Sequence, residues 1–523
     1  MYQIWLKKTY AETEVRLFHP ADSLSREKDV RKGNDPEPDT ADSADNAHME
    51  KQMDRKSPGE KEIGIIIAPG DDVPQSVCRL PGLSGNCLVK WKPLRRGMAM
   101  TRRRKQFARS MVMGLFSLFL FCTGAWAEEV VIGFTGPLSG PGAGYGRDNL
   151  NGIKMACQEV NKAGGIEIGG TTYTFTVESY DDMIDPTAAV NNARRLRSRS
   201  EARVIFNPVF NTIAPLMEIN EQKGQEFLLM AYTSDPELDK IDNDLTVSTV
   251  PPFPAYVRAY SELAWEKGWR KGAMVVTLGA YGDGWRKAFK DYWVNKMGGE
   301  IVADKPANYY TETDFSSQLS AALAKNPDFL LIGGPSEPTG LVIEQARNQG
   351  FEGGFMLVDQ AKMGYIADVV FDGDTSMMGE LIGTVRVKAL PSQALKRIAR
   401  QYKKQYEVTV TIEGLINYSA MHLVFDAMKE AGTVDDPRAI KKAMSRVLPQ
   451  DPDVIPTPYY GLLHTELLLP AIVSTVEDGA YGMDYQYLWW PREQEACEKY
   501  TKMAPSAENI VTECIKLQGY LTD

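Results

Sequence analysis

From residue 128 onward, short apolar runs alternate with amphipathic stretches, the pattern of βαβ units whose strands pair in a parallel sheet. Residues 130–134 read as a strand. A Gly-rich turn follows, and a predicted helix over 149–161 carries Ile153, Ala156, Cys157 and Val160 at helical spacing until Gly164 and Gly165 stop it. The alternation at 173–180 predicts a second strand, and Asp185-Pro186 opens a helix that runs through Leu196. A strand at 204–206, a helix at 212–222 and a strand at 227–230 complete a four-strand α/β lobe. Residues 245–250, followed by Pro251, Pro252 and Pro254, break this rhythm and read as a crossing.

A second series then repeats the same order. Strands at 272–277, 300–303, 328–332 and 355–358 alternate with helices at 281–294, 315–324 and 339–349. After Thr384 the pattern turns helical, over 392–406, 413–431 and 437–445. From Pro456 the chain is rich in Tyr, Trp and Pro, with a weak strand signal at 485–490. The fold class is therefore α/β, with two similar lobes of parallel-rich sheets flanked by helices. Residues 128–249 and 385–455 are expected to build the first lobe, and 250–384 and 456–523 the second and a C-terminal extension.

Residues 1–97 differ from the rest, with charged, Pro-, Ser- and Asp-containing runs and one short apolar strand candidate at 63–68. They read as a non-native or disordered extension. Residues 98–127 read as a signal peptide: TRRRKQFARS is a basic region, MVMGLFSLFLFC an apolar one, and Ala125-Trp126-Ala127 a cleavage site. Translation is accordingly expected to start at Met98 or Met100, with the product exported to the periplasm. A transmembrane anchor is the competing reading, but the apolar run falls well short of the ~20 residues that a span needs. Cleavage there leaves Cys157, Cys497 and Cys514. Cys497 and Cys514 are the plausible disulfide and Cys157 a buried thiol, with three reduced thiols as the alternative.

The 59 Lys and Arg against 69 Asp and Glu give a net charge of −10, opposite to what counterion release on nucleic acid requires. Only four histidines occur, and there is no Gly-x-Ser-x-Gly, His-Glu-x-x-His or Cys-x-x-Cys. Binding is favoured over catalysis, with no cofactor and no metal required. The Gly-rich loop 133–146 lacks the acidic residue ~20 positions on that a dinucleotide site needs.

Ligands of such sheets sit at the carboxyl ends of strands, which singles out four loops. They are the Gly-rich loop with Tyr145, the stretch 207–212 with Phe210, Asn211 and Thr212, the stretch 231–236 with Tyr232, Thr233 and Ser234, and 358–362 with Asp359. Backbone N–H groups and Thr212 at a helix start favour a carboxylate, and Asp359 offers a counter-charge for an ammonium group, so a zwitterion fits. Each residue also has a plainer role: Asn211 and Thr212 as helix caps, Ser234 in the Asp-Pro turn, Tyr145 and Tyr281 as core aromatics, and Asp359 paired with Lys362 at the surface.

The order of IGFTGPLSGPGAGYG, EVNKAGGI, VESYDDMIDPTAAVNNARRL, YTSDPELD, YGDGW, TDFSSQL and EGLINYSAMHLVFDAMKEAG resembles the type I periplasmic solute-binding proteins of ABC transporters, in the leucine/isoleucine/valine branch. The resemblance covers residues 130 to about 444. It implies two α/β lobes joined by a three-crossing hinge that close on an amino-acid-like ligand, with an ABC permease and ATPase as partners and no catalysis. It further implies that Asn211, Thr212 and Tyr232 to Ser234 hold the carboxylate, Asp359 the ammonium, and Tyr145 and Tyr281 form aromatic walls. Phe210 and Tyr232 depart from the branch and are expected to reshape the pocket. A sensor of amides or of aromatic or short-chain carboxylates feeding a receptor or regulator is the alternative, and an exported amide hydrolase is disfavoured by the scarcity of histidine.

Overall fold

The computed structural model describes residues 127–384, 386–390, 392–504 and 510–515; the expectations for residues 1–97 and for the signal segment before Ala127 lie outside the described residues. Strand β1 (Glu128–Gly136) leads into helix α1 (Ala143–Lys162), followed by β2 (Ile166–Ile168) and β3 (Thr171–Asp181). Helix α2 (Pro186–Arg199) starts where the sequence expects it. The Asp185 carboxylate accepts from the Ala188 N–H at 2.7 Å and Pro186 fills the first turn, where a missing N–H costs nothing. Strand β4 (Val204–Asn207), helix α3 (Phe210–Met217), strand β5 (Leu228–Ala231), the single turn α4 (Glu237–Lys240) and strand β6 (Thr246–Ser248) follow. Helix α3 is shorter than the predicted 212–222 because beyond Met217 the backbone closes as successive turns, with the Ile219 N–H on Leu216 and the Gln222 N–H on Ile219.

Helix α5 (Phe253–Glu266) is the long helix the periodicity missed. Pro251, Pro252 and Pro254 read as a breaker, yet proline is tolerated in a helix's first turn, and the crossing is only the few residues before Phe253. The second series comprises β7 (Lys271–Val276), α6 (Ala280–Asn295), β8 (Glu300–Asp304), α7 (Ser316–Leu323), β9 (Phe329–Gly333), α8 (Ser336–Asn348) and β10 (Gly354–Leu357). A short helix α9 (Met363–Tyr365), widening into a π-turn over Ile366–Val370, precedes β11 (Leu381–Thr384). Helices α10 (Leu395–Tyr406), α11 (Ile412–Ala431) and α12 (Pro437–Val447) then return to the first lobe. The C-terminal part holds β12 (Leu462–Leu463), β13 (Glu466–Leu467), β14 (Ala471–Glu477), β15 (Ala480–Leu488), α13 (Gln494–Met503) and β16 (Ile510–Cys514).

Two eight-stranded sheets result, ordered β12-β13-β6-β5-β4-β1-β3-β2 and β16-β15-β14-β11-β10-β9-β7-β8. The first lobe thus has twice the four strands its main pattern suggests, because the short strand β2 adds one edge and β6, β12 and β13 extend the other. Those two strands also shift the last crossing: the chain stays with the first sheet to Leu467 and joins the second at Ala471, rather than leaving at 456. Central strands such as Val204–Asn207 and Leu228–Ala231 are buried on both faces, which is why they read as continuous apolar runs. Val204, Phe206, Leu228 and Met230 face one core, and Ile205, Leu229 and Ala231 the other.

The tail is a folded part of the second lobe: β14 pairs antiparallel with β11, and a Cys497–Cys514 disulfide ties α13 to β16. Cys157 is a buried free thiol. Helices α1 and α11 cross so closely that a Cβ at Gly152 would lie 2.1 Å from the Gly414 carbonyl oxygen. Gly152→Ala is therefore expected to destabilise the fold by about 1–3 kcal/mol through overpacking, measured as a lower urea midpoint.

Candidate functional site

Strand order reverses at β1 in the first sheet and at β7 in the second, and each such reversal leaves a crevice beyond the strands' carboxyl ends. The loops leaving β1, β4, β5, β7, β8 and β10 meet there around a cavity of about 20 Å³. Of the nine residues singled out from the sequence, Tyr145, Phe210, Tyr232, Thr233, Ser234, Tyr281 and Asp359 line it; Asn211 and Thr212 do not.

Asp359, 6 % exposed, sits just past β10. Its Oδ1 accepts two hydrogen bonds at 2.6 Å, from the Tyr281 hydroxyl and from the Trp285 Nε1–H. Both donors stand one turn apart on α6, the spacing that puts side chains on one helix face. Trp285 is held in turn by Phe253, at 5.4 Å between ring centroids, and by Tyr260, at 6.1 Å, both from α5. Among the described residues nothing bonds Oδ2, so half of a buried carboxylate's acceptor capacity faces the cavity. The surface pairing of Asp359 with Lys362 that the sequence allows is not what forms: both side chains are buried, and the ammonium donates to the backbone carbonyl oxygen of Asp359.

Across the cavity, the Tyr145 hydroxyl donates to the Pro208 carbonyl oxygen at 2.9 Å, and its ring meets that of Tyr232 edge to face at 6.1 Å. The Tyr232 hydroxyl and the Ser234 Oγ are buried without a hydrogen-bond partner, a state that native structures rarely tolerate. Thr212 has been turned inward: its hydroxyl donates to Asn207 Oδ1 at 2.8 Å and to the Val209 carbonyl oxygen at 2.9 Å, the fate its helix-start position favours. Asn211 instead joins the lobes, its Oδ1 accepting from the Ala280 N–H at 3.0 Å. Gly279 makes that approach possible, since with φ +103° it has no Cβ to meet Asn211 at 2.5 Å.

The sequence reading missed Tyr310, Gln360 and Trp285. Tyr310 and Gln360 bond each other at 2.9 Å within the cavity wall. Trp285 was legible as the last residue of YGDGW, one helical turn beyond Tyr281; Tyr310 lies six residues beyond β8 in a stretch without periodicity.

A model of the family described as periplasmic binding protein matches residues 129–458. The chain belongs to that family. It is 27% identical over 249 residues to the Leu/Ile/Val-binding protein of Escherichia coli (strain K12), a match spanning 47% of this chain and 66%, just under two thirds, of that relative. A leucine-binding protein from Thermotoga maritima shares the fold with a TM-score of 0.58 at 20% identity, over 68% of this chain and 98% of the other. A solute-binding protein of an ABC transporter from R. palustris, in complex with benzoate, gives a TM-score of 0.58 at 16% identity, over 68% and 94%. The two-lobed α/β fold with parallel-rich sheets is thus that of type I periplasmic binding proteins.

The binding protein carries several buried acids around this crevice. Burial pushes Asp235, beside Ser234, and Asp148, on α1, up to about 7, and Glu466, on β13, up to about 8. Each holds a proton in the folded state that the unfolded chain releases near pH 4, so its contribution to stability is lost as pH rises from about 4 to the folded value, about 7 for the two aspartates and about 8 for Glu466, and the loss is complete above it. His422, which burial lowers to about 4, acts in the opposite sense only below its unfolded value near 6.5. Stability is therefore expected to fall from about pH 4.5 to about 8 in urea titrations, partly offset by His422 below about 6.5, and to level off above about 8; Glu466→Gln should remove the part of the decline that persists between about 7 and 8.

Proposed function

We propose that this periplasmic binding protein is the extracytoplasmic ligand-binding component of an ABC importer. It captures a small amino-acid-like ligand between its lobes and presents the closed form to a permease and ATPase. The observation that carries this reading is the free Oδ2 of Asp359 sharing one interlobe cavity with the unpartnered hydroxyls of Tyr232 and Ser234. A ligand ammonium meets the first and a hydrogen-bonding head group the others, and these groups come from different lobes.

Binding energy then acts on an equilibrium between open and closed lobes, and only contacts made better in the closed state shift it. Asn211 on Ala280 is such a closing contact without being a ligand contact. The Leu/Ile/Val-binding relatives support an amino acid as cargo, and the export signal read at 98–127 supports a periplasmic location.

Amino acids are expected to raise the melting temperature in a thermal-shift screen, as any ligand of the native state must. Asp359→Asn should weaken binding roughly tenfold or more, the worth of a hydrogen bond to a charged group, for ligands with an ammonium only. Asn211→Ala should weaken every ligand alike, by about two- to tenfold, read by calorimetry. If Asp359→Asn leaves amino-acid affinity unchanged, the zwitterion reading fails.

A further inference from the structure

The carboxylate of such a ligand lacks the partners first expected for it, since Thr212 and Asn211 are spent elsewhere. A second cavity, of about 60 Å³, opens hingeward of the first and shares Tyr232, Val250 and Asp359 with it. Its apolar wall is drawn from all three crossings: Val250 and Pro251 from the first, Leu390 from the second, Leu469 and Pro470 from the third. Ile412 and Ile416 of α11 complete it. The volume has room for several water-sized groups, and the hydroxyl of Tyr460, also in its wall, is buried without a partner.

Lys362 lines this chamber and is 7 % exposed. Among the described residues it is the one cation in the walls of the two connected cavities. Its ammonium uses one donor, on the Asp359 carbonyl oxygen, makes no ion pair among the described residues, and lies 5.9 Å from the centre of the Tyr232 ring. A buried ammonium with unspent donors is costly unless an anion meets it. Glu413, fully buried, also feels its charge: burial raises that carboxyl and the nearby Lys362 lowers it.

We propose that Lys362, with the Tyr232 hydroxyl, holds the ligand carboxylate, and that the ligand's apolar body lies in the hinge-side chamber. This rests on the amino-acid reading above and deepens it: the cargo is a compact apolar α-amino acid whose body touches the residues that connect the lobes. Specificity then follows the fit of that body between Pro251, Ile416 and Pro470, and Asp359 fixes only the ammonium.

The test is calorimetry on the full chain with two ligand sets: leucine, 3-methylbutylamine and 4-methylpentanoate; and phenylalanine, phenethylamine and 3-phenylpropionate. Lys362→Met should lose roughly tenfold or more in affinity for the amino acid and the acid of the set that binds, and leave the amine unchanged. Ile416→Phe, which fills the chamber, should weaken all three ligands of that set. If Lys362→Met changes only the melting temperature, Lys362 serves Glu413 and the proposal falls, while amino-acid binding stands. Equal losses for acid and amine, or full affinity in Ile416→Phe, also overturn it. If Lys362→Met does not fold, Lys362→Arg must keep a preference for the acid over the amine, and loss of that preference overturns the assignment. Wild-type protein that binds the amines but neither acids nor amino acids sinks both readings, whereas binding of none of the six, with another amino acid raising the melting temperature, sinks this proposal alone.

Discussion

Parallel pairing governs this molecule. Because each parallel-paired strand of the central sheets must be followed by a crossover before its neighbour can run the same way, those strands end at the same edge and the loops that leave them gather there. The loops leaving β1, β4 and β5 in one sheet, and β7, β8 and β10 in the other, are brought to one crevice although they are spread over more than two hundred residues of sequence. Nothing in the crevice has to be close in sequence, and little of it is.

Within that crevice the buried carboxylate of Asp359 sets the chemistry. An ionised acid out of water needs donors, and α6 supplies two of them to the same oxygen, through Tyr281 and Trp285. Their placement depends on α5, whose Phe253 and Tyr260 pack on Trp285. The acid is thus oriented by a helix that begins right after a crossing, which couples the binding geometry to the hinge. The second oxygen is left to the cavity, as are the hydroxyls of Tyr232 and Ser234. Unsatisfied groups of opposite character in one enclosed space define a guest more sharply than any one residue does.

The C-terminal segment shows why composition misleads at a boundary. Its Tyr- and Trp-rich run reads as an appendage, yet β14 and β15 extend the second sheet and Trp489 is fully buried, its indole N–H on the Leu469 carbonyl oxygen at 2.8 Å. Leu469 and Pro470 in turn wall the hinge-side chamber, so the tail holds the third crossing in place.

The sequence by itself determined the alternation of strands and helices, the cap at Asp185 and the loops that matter, because apolar period, capping chemistry and the strand-end rule are local. It also named Asp359, Tyr281 and Tyr232, which stand at strand ends or helix starts. Helix α5 stayed hidden because proline's meaning changes between a helix's first turn and its interior. Only the tertiary structure decided that Thr212 turns inward while Asn211 latches the lobes. It alone decided that Lys362 is buried rather than paired at the surface, and that three crossings enclose a chamber. These depend on which groups compete for the same donor or acceptor once distant loops are packed together, and a linear chain carries no record of that competition.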